Sequence, residues 1–486
     1  MKRAMILPLA LALLSVSGCM VGPNYKKPAA IVAPSFKEAP PPSFADQDGW
    51  KPGQPSDHAL KGNWWTMFND SQLDALEVQV DTANQTLKAA EANFRAARAQ
   101  IGVERSNEAP TIGVEPSVST VRNSANEPYF PANLANNGSG DFTLPVDLNY
   151  EIDLWGRIRR SVTSAREQAQ ASDADLENAR LSLHAELAID YFGLRTADAQ
   201  TRLLEDTVTA YQQALQLTQD RFEGGAAPQS DVAQARTQLD QARVQLTDLE
   251  VQRTQFEHAI AVLIGKPPAE LTLPPMPLNL EAAVIPSVPG VVPAVLLERR
   301  PDIAGDERRM ASANEQIGIA QAAFYPTLSL SAVAGFQGTS ALNWFNWPSR
   351  FWAVGPAFSQ TLFDAGRRRS AKNITEAQYD GTVANYRQTV LTAFQQVEDN
   401  LAALRVLSNE AQQQHEATAS AEQSLDLFQT RYEGGVDTYL QVVTWQTAAL
   451  NNQRNDLDIM QRRLDASVLL IKALGGGWDT TKLPHL

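Results

Sequence analysis

The chain has one cysteine, Cys19, in 486 residues. That excludes an internal disulfide, a CxxC motif and any cysteine-based zinc site. The five histidines, His58, His184, His258, His415 and His485, are scattered, with no HExxH and no cluster with carboxylates. GxSxG, GxGxxG and Walker loops are also absent. No catalytic residue, metal or diffusible cofactor is expected, and the chain reads as a non-enzyme. Basic residues are the minority: 41 Lys and Arg against 55 Asp and Glu give a net charge of −14. Such a chain repels the phosphates it would have to neutralise, so nucleic acid is not an expected partner. With 43% hydrophobic and 20% charged residues, disorder is excluded as well.

What is present begins with a targeting segment. Lys2 and Arg3 precede an apolar stretch, Ala4 to Val16, broken only by Pro8 and Ser15. It is too short to span a bilayer and reads as a bacterial signal peptide over residues 1–18. Val16-Ser17-Gly18-Cys19 resembles a lipobox, in which cleavage before Cys19 leaves a thiol that is lipidated. Met20 stands where an Asp usually retains lipoproteins at the inner membrane, which points to the outer membrane. Residues 19–62 hold eight prolines between Pro23 and Pro55 and read as a lipidated, extended N-terminal tether.

The remainder is one unit written twice. Arg221-Phe222-Glu223-Gly224-Gly225 recurs as Arg431-Tyr432-Glu433-Gly434-Gly435, an offset of 210. Gly156-Arg157 recurs as Gly366-Arg367 at the same offset. Gln100-Ile101-Gly102 matches Gln316-Ile317-Gly318 at an offset of 216, which puts six extra residues in the first copy, in the polar loop Arg122–Asp141. Length alone suggests about three domains; the repeat replaces that with an internal tandem duplication. The first structural repeat is read over 63–280, the second over 281–478, and a C-terminal tail over 479–486.

Residues 157–222 and 367–433 contain no proline and one glycine each, Gly193 and Gly381. Each predicts a helix of roughly 100 Å, far longer than a globular helix needs. After each Gly-Gly turn comes a heptad seam. Val232, Ala235, Leu239, Ala242, Leu246, Leu249, Arg253, Phe256, Ile260 and Leu263 form the first, broken only by Arg253. Val443, Leu450, Leu457, Leu464 and Ile471 form the second. Sustained heptads mean helices packed knobs-into-holes.

Four strands are expected from period-two alternation. The clearest sets Leu144, Val146, Leu148, Tyr150, Ile152 and Leu154 against Thr143, Pro145, Asp147, Asn149, Glu151 and Asp153. The others run over Leu328–Phe336, over Trp352–Leu362, and, most weakly, through Ile112, Val114 and Val118. Each is long enough to cross a bilayer when tilted. Four strands cannot close a barrel, since about eight is the smallest that does. Open edges in lipid would cost several kcal/mol per unsatisfied group. Membrane-spanning strands therefore require several chains to share one barrel, eight strands for two chains or twelve for three. Alternation alone also suits a half-buried soluble sheet.

These pieces resemble the outer membrane factors of tripartite efflux systems, the TolC-like family, in its OprM/NodT lipoprotein branch. The match rests on Gly18-Cys19-Met20-Val21-Gly22-Pro23-Asn24-Tyr25, on Leu297-Glu298-Arg299-Arg300-Pro301-Asp302-Ile303, and on Ala473-Leu474-Gly475-Gly476-Gly477-Trp478. The resemblance implies a mixed, mainly α fold: a homotrimer whose shared 12-strand transmembrane β-barrel, four strands per chain, continues into a long periplasmic α-helical coiled-coil barrel. It implies an exit duct joined by a periplasmic adaptor to an inner membrane pump of the resistance-nodulation-division type. The duct would sit in the outer membrane of a Gram-negative bacterium, in contact with outer membrane lipid and anchored by lipid on Cys19.

The family places its pore constriction at the start of the helix after the second tip turn, Gly434-Gly435. By register that stretch runs from Asp437 to Thr444, and Leu440 matches a leucine that narrows the pore. Leu440, Thr444, Asp437 and Gln441 are the gate candidates. Gln441 falls where TolC carries Asp and Thr444 where relatives often carry Asp, so an acidic ring is not expected. In the first half, past Gly224-Gly225, Ser230-Asp231-Val232 matches a Thr-Asp-Val of TolC whose Asp helps hold the closed state. Asp231 is a candidate latch or, equally, a favourable charge in a helix's first turn. Its TolC arginine partner aligns with Asp437, so that salt bridge is not expected. Trp344, Phe345 and Trp347 suit an aromatic belt or the barrel mouth, and Trp64 and Trp65 suit a core at the tunnel's waist. The alternatives are a channel for type I protein secretion and a structural coiled-coil periplasmic lipoprotein, which has no need of the strands.

Overall fold

The computed structural model describes residues 20–30, 32–33, 35–38, 62–122, 124, 126, 128, 138–286, 299–477 and 484. Cys19, the signal segment 1–18 and most of the loop expected to hold the six extra residues lie outside the described residues. Each half repeats one order of elements. In the first, α1 (Ser71–Ala83) and α2 (Gln85–Ser106) lead into β1 (Thr111–Val114), β2 (Ser117–Val121) and β3 (Ser139–Ile152), then α3 (Arg157–Glu223) and α4 (Gln229–Leu263). In the second, α5 (Pro301–Ala322) leads into β4 (Thr327–Gly338) and β5 (Arg350–Ser359), then α6 (Arg367–Glu433) and α7 (Tyr439–Ala473). The expected mixed, mainly α fold is the fold found.

The proline-free stretches are single helices. α3 and α6 are each 67 residues long, which at the α-helical rise is roughly 100 Å. The one glycine inside α3, Gly193, has a packing reason. A Cβ there would stand 2.5 Å from the Phe256 ring of α4. Ala235, Leu239, Ala242, Leu249, Ile260 and Leu263 of the α4 seam are buried, as are Leu450, Leu457, Leu464 and Ile471 of α7. Arg253, the one interruption, is tied down. Its Nε donates to the buried Asp198 carboxylate at 2.7 Å and its Nη2 to the Leu273 carbonyl at 2.7 Å.

Among the described residues the sheet has five strands where four were expected, all antiparallel and with β3 and β4 at its centre. The difference lies in the weakest strand, which is divided into β1 and β2. Both halves keep one register on β3, from Thr111 opposite Asn149 to Val121 opposite Ser139. The break falls at Glu115 and Pro116, where that register brings up Pro145 and Leu144. Two prolines without amide donors meet there, and the ladder lapses. β5 ends at Ser359 rather than Leu362. One face carries Ile112, Val146, Leu148, Ala332, Val354 and Trp352, and the other Asp147, Asn149, Ser331 and Ala353. The apolar face is bare: Trp352 is 73% exposed and Phe358 68%. The outer strands, β1 with β2 on one side and β5 on the other, leave open edges within the chain.

The main core lies at the other end of α3 from neither sheet nor tip but between them. Trp64, Trp65, Phe68 and α1 pack against the middle of α3, the end of α4 and the end of α7. The two tryptophans are buried as expected. The sequence shows no histidine–carboxylate cluster, yet the fold assembles one here from residues far apart in the chain. His184 Nδ1 lies 2.6 Å from the Glu77 carboxylate and Nε2 lies 3.3 Å from Asp81, while Trp65 stacks on the ring at 4.4 Å. Arg300, from the stretch Leu297–Ile303, is buried and donates to the carbonyl of Ala473, the first residue of the stretch Ala473–Trp478, at 3.0 Å.

Residues 20–30, read as part of a plain tether, have no regular secondary structure but are held. Val21 donates its amide to the Trp155 carbonyl at 3.1 Å and accepts from Arg160 Nε at 2.8 Å. Arg160 is buried and paired with Glu315 at 2.6 Å. Trp344 and Phe345 stack on one another at 4.9 Å and lean on Phe142 and Phe336 at the ends of β3 and β4, whereas Trp347 is exposed beneath Arg350.

Candidate functional site: the hairpin tips

Each long helix ends in the same glycine device. Gly225 and Gly435 adopt φ of +73° and +72°, a region that only glycine enters without strain. Ala226 then donates to the Arg221 carbonyl at 2.7 Å and Val436 to that of Arg431 at 2.9 Å. With the bonds from Gly225 to Phe222 and from Gly435 to Tyr432, these are Schellman closures. Gly224 and Gly434 remain in the right-handed region as the caps that follow the last helix residues. The glycines expected at the turns thus have separate tasks: the second of each pair reverses the chain.

The two tips are joined by residues that the sequence reading did not assign to the site. Arg221, at the end of α3, donates through Nη1 to the carbonyls of Tyr432 and Glu433 at 2.9 and 3.1 Å. Its guanidinium lies 4.6 Å from the Tyr432 ring centre. Tyr432 packs on Tyr439 at 5.2 Å, and both are buried with Ala235 and Val442. Burial, more than any neighbouring charge, pushes both phenols above their ordinary range. Arg221 and Arg431 were visible as repeat equivalents; what the repeat hides is that they have different partners. Arg431 pairs with Asp437 across its own turn.

The gate candidates separate by environment. Leu440 is 54% exposed, and Gln441 and Thr444 are exposed beside it in the first turns of α7. Leu440 and Thr444 are four residues apart and share a face; the Thr444 hydroxyl donates to the Leu440 carbonyl at 2.9 Å. Asp437 precedes α7 and is taken by Arg431. Asp231 lies in the first turn of α4, where its charge adds to the upward shift of both Tyr432 and Tyr439. Its charge is thus felt by the tyrosine pair of the other hairpin, and position 437, where TolC carries the arginine partner, is Asp.

Two tandem helical hairpins capped by one amphipathic sheet are shared with known proteins. The sequence matches the family described as Outer membrane efflux protein twice, over residues 78–266 and 292–476. It is 31% identical to the probable efflux pump outer membrane protein TtgC of Pseudomonas putida, covering 97% of this chain and 96% of that one. It is 30% identical to outer membrane protein OprJ of Pseudomonas aeruginosa, covering 96% and 94%. A crystal structure of a membrane protein from Pseudomonas aeruginosa superimposes with a TM-score of 0.85 at 29% identity, covering 94% of this chain and all of that one. The chain belongs to the outer membrane efflux protein family.

Proposed function

We propose that the chain is the outer membrane channel of a tripartite efflux system. It is a passive exit duct, not an enzyme, for drugs or other small molecules delivered by an inner membrane pump through a periplasmic adaptor. The observation that carries this reading is the sheet: its apolar face is bare and its edges are open, yet it continues into two helices of 67 residues. In lipid such edges must be paired, and three copies, with β1 and β2 counted as the two parts of one strand, would pair them in one 12-strand barrel. Helix burial supports the same assembly. α2 buries only Leu87, and α6 buries nothing before Tyr386, which leaves faces for a neighbouring copy.

In this homotrimer the helices would form the periplasmic tunnel and the tips its gate, with Leu440, Thr444 and Gln441 narrowing the pore. Arg221 and Asp231 would hold the hairpins closed, while Asp437 stays paired with Arg431 inside its own hairpin. Lipid on Cys19 would add an anchor in the outer membrane of a Gram-negative cell, and the pump would be of the resistance-nodulation-division type. Native mass spectrometry of detergent-extracted protein tests this. A trimer with lipid on every chain is expected; a monomer would remove the shared barrel and with it the duct.

A further inference from the structure

We propose that α6 of one copy docks on α2 of a second copy by repeating, in neutral residues, the packing of α3 on α5 within each chain. This seam rests on the homotrimer reading and adds its partner face and register. α2 packs on α3, α3 on α5 and α5 on α6, so the four helices form a row. The duplication makes that row one pair written twice. α2 and α5 are both 22 residues long at an offset of 216, and α3 and α6 are both 67 at an offset of 210. In α5, then, α3 meets the counterpart of α2. At the end of the row α6 leaves the equivalent face open, and the α2 of another copy continues the pattern.

The α3–α5 junction is charged. Arg160 pairs with Glu315 at 2.6 Å, Glu167 with Arg308 at 3.0 Å and Asp175 with Arg309, and the buried hydroxyls of Ser164 and Ser312 lie 2.8 Å apart. Carried through the two offsets, these contacts fall on Ser370 and Ala99, Ala377 and Ala92, Asn385 and Asn93, and Ile374 and Ala96. All eight residues are exposed in the single chain. In none of the three ion pairs has one charge survived without the other. A charge left alone between packed helices is costly, so residues that face each other lose their charges together, whereas residues facing water can keep either one. Ile374 is 58% exposed, and the register sets it against Ala96, with Ala92 and Ala99 one turn to either side, a hole for a branched side chain. The two junctions thus differ in chemistry, ionic within a chain and neutral between chains. An α2 docked wrongly on α3 of another copy would leave Glu167 and Asp175 without their arginines, so the same difference discriminates against misassembly.

Cysteine cross-linking of the full-length protein in dodecyl maltoside, with copper-phenanthroline as oxidant, tests the register. Because the Ser164 and Ser312 oxygens touch, thiols at the equivalent positions fall within disulfide reach. Ala96→Cys with Ile374→Cys should give a covalent trimer on a non-reducing denaturing gel, and neither single variant should. Ser164→Cys with Ser312→Cys should close within one chain and leave a monomer band. Ala96→Cys with Gly381→Cys, two turns further along α6 and so roughly 10 Å away, should cross-link about ten-fold less. No covalent trimer from the first pair, or as much from the displaced one, would overturn the docking. A second test does not depend on thiols. Ala377→Glu should lower the temperature at which the trimer dissociates, and adding Ala92→Arg, which rebuilds the Arg308–Glu167 pair between copies, should raise it again. Failure of that rescue would overturn the register. Native mass spectrometry of the same preparations tells the two readings apart: a trimer that does not cross-link removes this seam alone, and a monomer removes the duct as well.

Discussion

Arg221 of the first hairpin donates to the Tyr432 carbonyl of the second at 2.9 Å while its guanidinium covers the Tyr432 ring at 4.6 Å. A helix C-terminus leaves carbonyls without intrahelical partners; here a cation from the other repeat takes up the Glu433 carbonyl and adds a second bond to that of Tyr432, which Gly435 already reaches. Its repeat counterpart Arg431 turns instead to Asp437 in its own hairpin. The duplication is therefore asymmetric at the tip, and the clamp between the hairpins runs through one arginine.

Arg221→Ala should loosen that clamp. It removes two charge-assisted hydrogen bonds and a cation–π contact, together worth roughly 1–3 kcal/mol. In the duct reading, the open population rises by about 5–150-fold, seen as longer open dwell times in planar bilayers. Arg221→Lys should give part of the effect, because it keeps the charge and loses the planar fork. Dwell times like those of the parent in both variants would show that the clamp does not hold the gate.

Leu440→Ala and Thr444→Ala act on the pore and not on folding. Leu440 is 54% exposed, so truncating it leaves no buried cavity. Thr444 spends its hydroxyl on its own helix. Melting temperatures should stay within the scatter of the parent while single-channel conductance rises. A conductance that does not move would remove these two residues from the constriction.

The long helices, the turns and most strands were legible because they rest on local rules: proline exclusion, period-two alternation and Gly-Gly at fixed spacing. The divided first strand was not, because its cause is a meeting of Pro116 and Pro145 fixed only by register. Nor was the His184 cluster, since Glu77 and Asp81 come from a different helix about a hundred residues earlier. At the tip the sequence supplied Arg221 and Tyr432 as repeat markers. That Arg221 reaches the other hairpin depends on the packing angle of two hairpins, which no local pattern encodes.

The His184 cluster makes stability depend on pH. Burial alone would lower the His184 pKa, but its hydrogen bonds to Asp81 and Glu77 outweigh burial and push it up to about 9. Glu77 is pushed up to about 7 by burial, with His184 pulling back. Both folded-state values lie above the unfolded ones, so the fold holds these protons more tightly. The His184 contribution is full below pH 6.5 and is lost as pH rises through about 9. It amounts to roughly 3 kcal/mol. The apparent melting temperature should fall from pH 7 to pH 9.5. His184→Gln should lower it at pH 7 and flatten that slope; an unchanged slope would place the titration elsewhere.

Arg253→Leu sets seam logic against burial. By heptad pattern the substitution repairs the only polar position in the α4 seam. In the fold it strands Asp198, whose side chain is 2% exposed and whose carboxylate Arg253 holds at 2.7 Å. The Met276 amide would remain as a donor to that carboxylate at 2.8 Å, without any positive charge. The Leu273 carbonyl would also lose its bond from Arg253. Removing one partner of a buried ion pair costs roughly 3–5 kcal/mol, whereas filling one seam position with Leu returns about 1.5–3 kcal/mol. The variant should therefore be less stable than the parent by chemical denaturation. Adding Asp198→Asn, which removes the more deeply buried of the two carboxylates that Arg253 pairs with, the other being Glu257, should restore part of the loss. A single Arg253→Leu variant more stable than the parent would mean that the seam, and not the Asp198 pair, governs this part of α4.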